Sequence, residues 1–395
     1  MKKVAVIGAG IAGVIPAYYL SKKGYDVTII DQERYAGMKC SYANGGQLSV
    51  SNSEVWNTWS NVSKGIRWMF KKDAPLLVSP KFEWSKLRWM SKFIWHTFIK
   101  DHIPNTSSTI QLGIESRNLY KQIIDDEKLK FNHSTCGILH VYQNQKYFDS
   151  AQYIGPVYEA NGCTWKVIDK TQVELIEPAL KRNDNIIGGT WTPEDSVGDI
   201  HKFCSELCRV MIERYRVKLL LDVKVDNLER IAELYDIVIV AAGVESTKLA
   251  RSVGDNLNLY PVKGYSITIP ARDIKSFEAM PKVSILDDEA KIVCSLLGDR
   301  LRVAGTAELA GENYDIRQDR IEPLLKWVQK HFPQVDCSEY SSWACLRPMT
   351  PNMMPIVKQS KKNSQVFYHT GHGHLGWTIS PSTAQKLLRL INENS

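Results

Sequence analysis

The sequence predicts an α/β chain in which a parallel, doubly wound sheet is assembled from separated segments and interrupted by a mainly antiparallel insertion. Three observations predict it: a glycine-rich turn between an apolar strand and a helix near residue 10, a second buried-strand pattern at 236–243, and a series of strand-like segments elsewhere. Lys3 to Ile7 is the first apolar run; Gly8-Ala9-Gly10-Ile11-Ala12-Gly13 follows, 14–23 reads as a helix, and 25–30 as a strand closed by Asp31. In such a unit the first glycine permits the tight turn, the second admits a pyrophosphate to the helix N-terminus, and the third lets helix and strand pack closely. Asp31 stands where a carboxylate accepts hydrogen bonds from a ribose. The unit reads as a Rossmann-like dinucleotide site, with NAD and FAD both open. Pro16 falls inside the predicted helix, where it removes a backbone donor.

At the other end, 366–370 reads as a strand, Gly371-His372-Gly373-His374-Leu375-Gly376 repeats the glycine spacing, and 377–392 follows as a helix. No second strand follows, so this is a glycine-rich helix N-terminus that offers N–H groups and a positive dipole end to something electron-rich. A flavin ring gaining negative charge on reduction suits it; a plain helix cap is the alternative. The run Asp236-Ile237-Val238-Ile239-Val240-Ala241-Ala242-Gly243 suits a central parallel strand whose small-residue end, at Gly243, abuts a cofactor. A helix at 198–214 leads to a strand at 218–221. Strand patterns at 137–142, 189–192, 265–269, 290–296 and 300–306 suggest the inserted sheet.

The 395 residues, 44% hydrophobic and 24% charged, exclude a disordered, collagen-like or small disulfide-stapled chain. The net charge of +7 comes without a dense basic run, which argues against nucleic acid as a partner. Eight cysteines without a CxxC pair or framework spacing read as reduced thiols of a cytosolic protein and support no metal site. Met1-Lys2-Lys3 and the uncharged stretch to Leu20 imitate a signal peptide, but the glycines at functional spacing argue against one. No other uncharged segment reaches the ~20 apolar residues of a membrane span.

Residues 56–100 hold six of the eleven tryptophans: Trp56, Trp59, Trp68, Trp84, Trp89 and Trp95. If 84–100 is helical, Ser85, Arg88, Lys92, His96 and Lys100 form one polar, basic stripe, while Leu87, Met90, Phe93, Ile94 and Phe98 spread over the rest. That pattern matches an interfacial membrane helix; a helix packed on the inserted sheet is the alternative.

Together, Gly8 to Gly13 with Asp31, Ala43-Asn44-Gly45-Gly46-Gln47, Val262-Lys263-Gly264-Tyr265, Leu346-Arg347-Pro348-Met349-Thr350-Pro351 and the stretch from Thr370 to Thr378 resemble the FAD-dependent D-amino-acid oxidase superfamily, most closely the bacterial D-amino-acid dehydrogenase small subunits. The resemblance covers nearly the whole chain in order. It implies a discontinuous Rossmann-like FAD-binding domain, 1–52, 196–258 and 341–395, with an inserted, mainly antiparallel substrate-binding domain, 53–195 and 259–340. It implies that Arg347 binds the substrate carboxylate, with Tyr265 either a further pocket residue or a buried strand tyrosine. It implies FAD binding, without a recognisable covalent linkage motif, by Gly8, Gly10, Gly13, Asp31, Ala43, Asn44, Gly45, Gln47, Gly243, Gly371, Gly373, His374, Gly376, Trp377 and Thr378. One departure is Ala290, where related dehydrogenases often carry a tyrosine before the lysine aligned with Lys291.

The implied activity is oxidative deamination of D-amino acids to 2-oxo acids and ammonia by hydride transfer to flavin, electrons passing to a quinone or another non-oxygen acceptor. A glycine- or sarcosine-type amine oxidase using dioxygen, and a non-enzymatic flavin-binding scaffold docking a membrane or partner, are the alternatives. The expected location is cytoplasmic, with peripheral contact to the inner face of the bacterial plasma membrane through 56–100 as a further expectation.

Overall fold

In the computed structural model, which describes residues 1–68 and 75–394, Lys3–Ile7 lies between Ile237–Val240 and Asp26–Ile30 in a six-stranded sheet. Val4 stands opposite both Ile237 and Val27. Lys218–Leu220 extends the sheet on one side and Val366–Thr370 on the other, all parallel; Ile356–Gln359 closes the second edge as the antiparallel member. Both faces of the four inner strands Lys3–Ile7, Asp26–Ile30, Ile237–Val240 and Val366–Thr370 are buried, which is why they read as largely apolar runs rather than alternating ones. One face packs on helices Ile11–Lys22, Ile200–Tyr215 and Gly376–Glu393 through residues such as Val14, Phe203, Leu207 and Leu387. The opposite face packs on the shorter helices Leu228–Ala232 and Ser246–Ser252.

The proline inside the first helix has a structural answer. Pro16 cannot donate to the carbonyl of Ala12, and His369 of the strand Val366–Thr370 fills the vacancy, its Nδ1 2.6 Å from that oxygen. Because a carbonyl only accepts, Nδ1 carries the proton; burial holds the imidazole neutral by pulling its pKa down to about 4.

The second sheet has nine strands, in the order Ser341–Met349, Tyr260–Pro270, Arg300–Leu309, Ile292–Leu297, Ser284–Asp287, Ile138–Tyr142, Gly188–Thr192 and Lys166–Asp169, with Leu76–Val78 beside Arg300–Leu309. It is antiparallel except where Ser284–Asp287 meets Ile138–Tyr142 and where Leu76–Val78 joins. Helix Gln318–His331 covers its back through Ile321, Leu324, Trp327 and Val328. Its front is turned toward residues 43–47, and that is where the two sheets meet. Strand Ser341–Met349, grouped by the sequence reading with the nucleotide-binding segments, pairs from Ser341 to Met349 with Tyr260–Pro270. The chain returns to the parallel sheet only at Ile356, because the Arg-Pro-Met-Thr-Pro segment ends a strand of the second sheet.

One further expectation is corrected. Not all cysteines are thiols: Cys40 and Cys345, 305 residues apart in sequence, are joined as a disulfide with their Cα atoms 5.4 Å apart. Folding alone brings them together, so no spacing rule reveals the pair. Helix Trp84–Phe98 has one packed side and one exposed side. Trp89, Met90 and Phe93 pack into a core cluster with Tyr260, Val262 and Met349, whereas Trp84, Leu87, Ile94, Trp95 and Phe98 remain exposed. Of the tryptophan-rich stretch, 69–74 lie outside the described residues.

Candidate active site

The strand ends of the parallel sheet form the first wall. Gly8 adopts φ +114°, and a Cβ there would stand 2.5 Å from the Ala241 carbonyl, so the turn can pass the end of Ile237–Val240 only as glycine. Gly13 packs back on the Gly8 carbonyl. At Gly10, by contrast, an added Cβ would meet only Ser41 Oγ at 3.4 Å, and at Gly243 it would meet nothing within 4 Å. That open space at the N-terminus of Ile11–Lys22 is a cradle suited to a pyrophosphate. Ser41, which the sequence reading passed over, accepts the Ile11 N–H at 3.0 Å. Asp31 accepts from the N–H groups of Ala9 and Glu33, which secures the turn, and burial pushes its carboxyl up.

Residues 43–47 cross between the sheets. Ser266 Oγ donates to the Ala43 carbonyl at 2.6 Å, Arg302 to that of Asn44 at 2.9 Å, and Ser295 Oγ to that of Gly45 at 2.8 Å. Gln47 donates to Ser284 Oγ and pairs with Val197. The glycines are needed here because Gly45 passes over Val293 and Gly46 over Leu297, with Gly46 at φ +74°.

Arg347 lies on the front of the second sheet, its guanidinium directly over Gly264, where any side chain would displace it. Its Nη1 donates to the carbonyl of Thr306 at 3.1 Å. Thr306 sits at φ +61° beside the register shift between Arg300–Leu309 and Tyr260–Pro270, and that bulge turns its carbonyl to the arginine. Among the described residues no carboxylate lies within ion-pair distance of Arg347, and burial alone brings its pKa down to about 10. As a whole residue it nevertheless keeps some accessible surface.

The strand carrying Arg347 is an edge strand, and its free edge is pinned on both sides of the arginine. Beyond it, Met349 bridges His372, Gly373 donates to the Pro348 carbonyl, and the buried Trp89 donates to the Met349 carbonyl at 2.8 Å. Before it stands Cys345, bonded to Cys40. Gly371 and Gly373, at φ +74° and +57°, let the loop fold against Thr350 and Met349. Gly376 opens the last helix within reach of Ile11.

His374 is stacked on Trp56, ring centroids 4.7 Å apart. Burial first, and then the Arg347 cation, bring its pKa to about 4, so it is neutral near pH 7. Lys291 is close enough to act on the same imidazole. Lys291 in turn pairs with Asp288 at 3.0 Å, whose other oxygen takes Tyr142 OH at 2.9 Å and His140 Nδ1 at 3.0 Å. Burial opposes that charge, but Lys291 and His140 outweigh it and hold the Asp288 carboxyl well below the usual range. Trp56, Thr306, Lys291 and Asp288 carry no motif of their own, which is why sequence reasoning missed them as site residues.

Tyr265 is turned away. Strand alternation puts it on the back of the sheet, opposite to Gly264, where its hydroxyl donates to buried Glu308, itself flanked by Lys263 at 3.5 Å. Trp377 is likewise inside a core, packed on Tyr120, Phe131 and Phe203, and Thr378 Oγ1 accepts the Ser49 N–H. Ala290 packs toward the core behind the sheet.

Comparison with known proteins places this geometry. The family model described as FAD dependent oxidoreductase matches residues 3–390. The chain is 45% identical to "D-amino acid dehydrogenase 3" of Mesorhizobium japonicum, covering 99% of this chain and 97% of that one. It is 34% identical to "D-amino acid dehydrogenase" of Paramagnetospirillum magneticum, covering 99% and 95%. Among solved structures, glycine oxidase from Geobacillus kaustophilus superposes with a TM-score of 0.76 at 16% identity, over 100% of this chain and 96% of that one, a likeness of fold. With the dinucleotide cradle, the two-sheet architecture and a match along almost its entire length, the chain belongs to the FAD-dependent oxidoreductase family.

Proposed function

We propose that this enzyme oxidises D-amino acids to 2-oxo acids and ammonia and passes the electrons to a quinone or another non-oxygen acceptor. The observation that carries the reading is Arg347, a desolvated cation on the front of the nine-stranded sheet with no carboxylate of the described residues beside it. An uncompensated buried charge is strongly unfavourable, and an anionic substrate group relieves it. The relatives named as D-amino acid dehydrogenases support an α-amino acid carboxylate as that anion.

In this reading the parallel sheet, with Gly8, Gly10, Gly13, Asp31, Gly243 and the loops 43–47 and 371–376, holds the cofactor, and the front of the nine-stranded sheet forms the substrate chamber. FAD, when bound, supplies the two-electron acceptor for the α-hydrogen. Arg347 grips the carboxylate through a two-pronged hydrogen bond and so fixes the α-carbon. His374, neutral, adds no second charge to compete for that carboxylate, and Trp56 excludes water from its far side. The substrate amine reacts unprotonated; loss of hydride from the α-carbon and of a proton from nitrogen leaves the imino acid, which water converts to the 2-oxo acid and ammonia. Positioning therefore carries most of the rate. Anaerobic mixing of the yellow holoenzyme with paired enantiomers is expected to bleach the flavin with D- and not L-amino acids. In air a quinone analogue is expected to be reduced faster than peroxide appears. Peroxide release at the full turnover rate with glycine or sarcosine would replace this reading by the oxidase one.

We assign the exposed arc of helix Trp84–Phe98 to an anionic lipid surface, where a lipid-dissolved acceptor is met. Trp84 and Trp95 are 77% and 58% exposed, Leu87, Ile94 and Phe98 continue the arc, and Arg88 and Lys92 flank it. Among the described residues no helix is long and apolar enough to cross a membrane. Replacing Trp84 and Trp95 by Ser is expected to cut sedimentation with anionic vesicles about tenfold or more while activity with a soluble dye persists. Unchanged vesicle binding removes the assignment. Trp89 is unsuitable for this test, since it is buried against the strand of Arg347.

A further inference from the structure

We propose that the Cys40–Cys345 disulfide is a positioning brace of the active site, so that substrate affinity and cofactor retention respond to its reduction. The inference rests on the reading of Arg347 as the carboxylate site. Three observations carry it. Ser341–Met349 is an edge strand, held by ladder hydrogen bonds only along Tyr260–Pro270. Its free edge is pinned after Arg347 by Gly373, His372 and Trp89, and before Arg347 the strand is tied by the covalent bond from Cys40 to Cys345. Cys345 stands opposite Gly264, the residue over which the guanidinium lies, on the same face of its strand as Arg347.

The other half of the bridge belongs to the nucleotide side. Ser41, next to Cys40, accepts the Ile11 N–H at the start of the glycine-turn helix, and the carbonyls of Ala43, Asn44 and Gly45 are fastened to the second sheet just beyond. The disulfide therefore couples the cradle of the pyrophosphate to the strand that aims the arginine. Neither cysteine residue is fully buried. The remaining six cysteines are free, including Cys204 and Cys208, one turn apart on the same helix. Reduction breaks one S–S bond and forms two thiols, consuming two electrons and two protons from a dithiol that itself closes to a disulfide.

The test starts with thiol counting on the denatured holoenzyme: alkylation without reductant is expected to label six cysteines, and after dithiothreitol eight. The reduced native enzyme is expected to show KM for a D-amino acid raised about tenfold with kcat within about twofold, and faster release of FAD followed by its fluorescence. A lower melting temperature alone would accompany any lost cross-link; the split between KM and kcat marks positioning. Cys345→Ser is expected to reproduce the reduced behaviour and to be insensitive to dithiothreitol. If that variant does not fold, reversible reduction of the native protein decides the matter by itself. Eight labelled cysteines without reductant, or a reduced enzyme with unchanged KM and FAD release, overturns the proposal. Should Arg347→Ala leave KM unchanged, the carboxylate reading fails, while the labelling and FAD-release measurements still judge the bridge.

Discussion

Arg347→Ala is expected to lower kcat/KM toward D-amino acids about a hundredfold or more, corresponding to roughly 3 kcal/mol of charge-assisted hydrogen bonding, while FAD stays bound. The thermal stability separates this outcome from a structural effect. An arginine holding a buried ion pair costs about 3–5 kcal/mol when removed, because its partner is stranded; Arg347 has no such partner among the described residues, so its loss is expected to leave the melting temperature unchanged or raise it. Arg347→Lys keeps the charge but not the two-pronged geometry and is expected to fall between the two, about tenfold down. Gly264→Ala reaches the same phenotype without touching the charge, since the new methyl would occupy the space of the guanidinium. The pH profile adds a further check. Arg347, with a pKa near 10, stays charged, and His374, with a pKa near 4, stays neutral across roughly pH 5–9, so neither titrates there. A rise in kcat/KM with pH in that window is expected from deprotonation of the substrate amine and not from these two side chains. Unchanged efficiency of Arg347→Ala would remove the arginine from the reaction.

The fold was largely legible because its markers are local. A glycine turn between strand and helix, an uninterrupted apolar strand ending in Gly243 and a second glycine-rich helix start each announce themselves within ten residues or so, and the parallel sheet assembles around them. What stayed hidden depends on the third dimension. Which way Tyr265 points follows from alternation counted from Gly264, and that count acquires meaning only once the guanidinium is seen over the glycine. Thr306 matters through a carbonyl turned by a bulge, a backbone property no side chain advertises. The bridge between Cys40 and Cys345 joins a turn that follows the strand Asp26–Ile30 to the edge strand of the second sheet, 305 residues away in sequence. Trp56 and Trp89 share a stretch with exposed tryptophans, yet both pack on one core cluster, where one stacks on His374 and the other anchors Met349, so a shared composition concealed their separate contacts. His369 shows the reverse case: the anomaly of Pro16 was visible in the sequence, and only its remedy was not.

The glycines of the first turn permit the sharpest separation of cofactor binding from folding. Gly10→Val is expected to yield a folded protein that retains no FAD through gel filtration. The fold tolerates the position, because a Cβ at Gly10 approaches only Ser41 Oγ at 3.4 Å, a hydroxyl on a side chain able to give way by a few tenths of an ångström. The cofactor does not tolerate it, since the branched side chain fills the space through which a pyrophosphate reaches the helix N-terminus. Gly13→Ala is expected to behave oppositely. Its methyl would collide with the Gly8 carbonyl, and Gly8, held at φ +114° against Ala241, has no room to retreat. The first helix must then lift from the sheet, opening the core shared by Val6, Val14 and Phe203, so the loss appears in expression and melting temperature before any cofactor is added. Circular dichroism and FAD fluorescence on the two variants read both quantities. A Gly10→Val protein that is yellow after purification would move the cofactor away from this turn, whereas a Gly13→Ala protein with wild-type stability would show that helix and strand are less tightly closed than the structure requires.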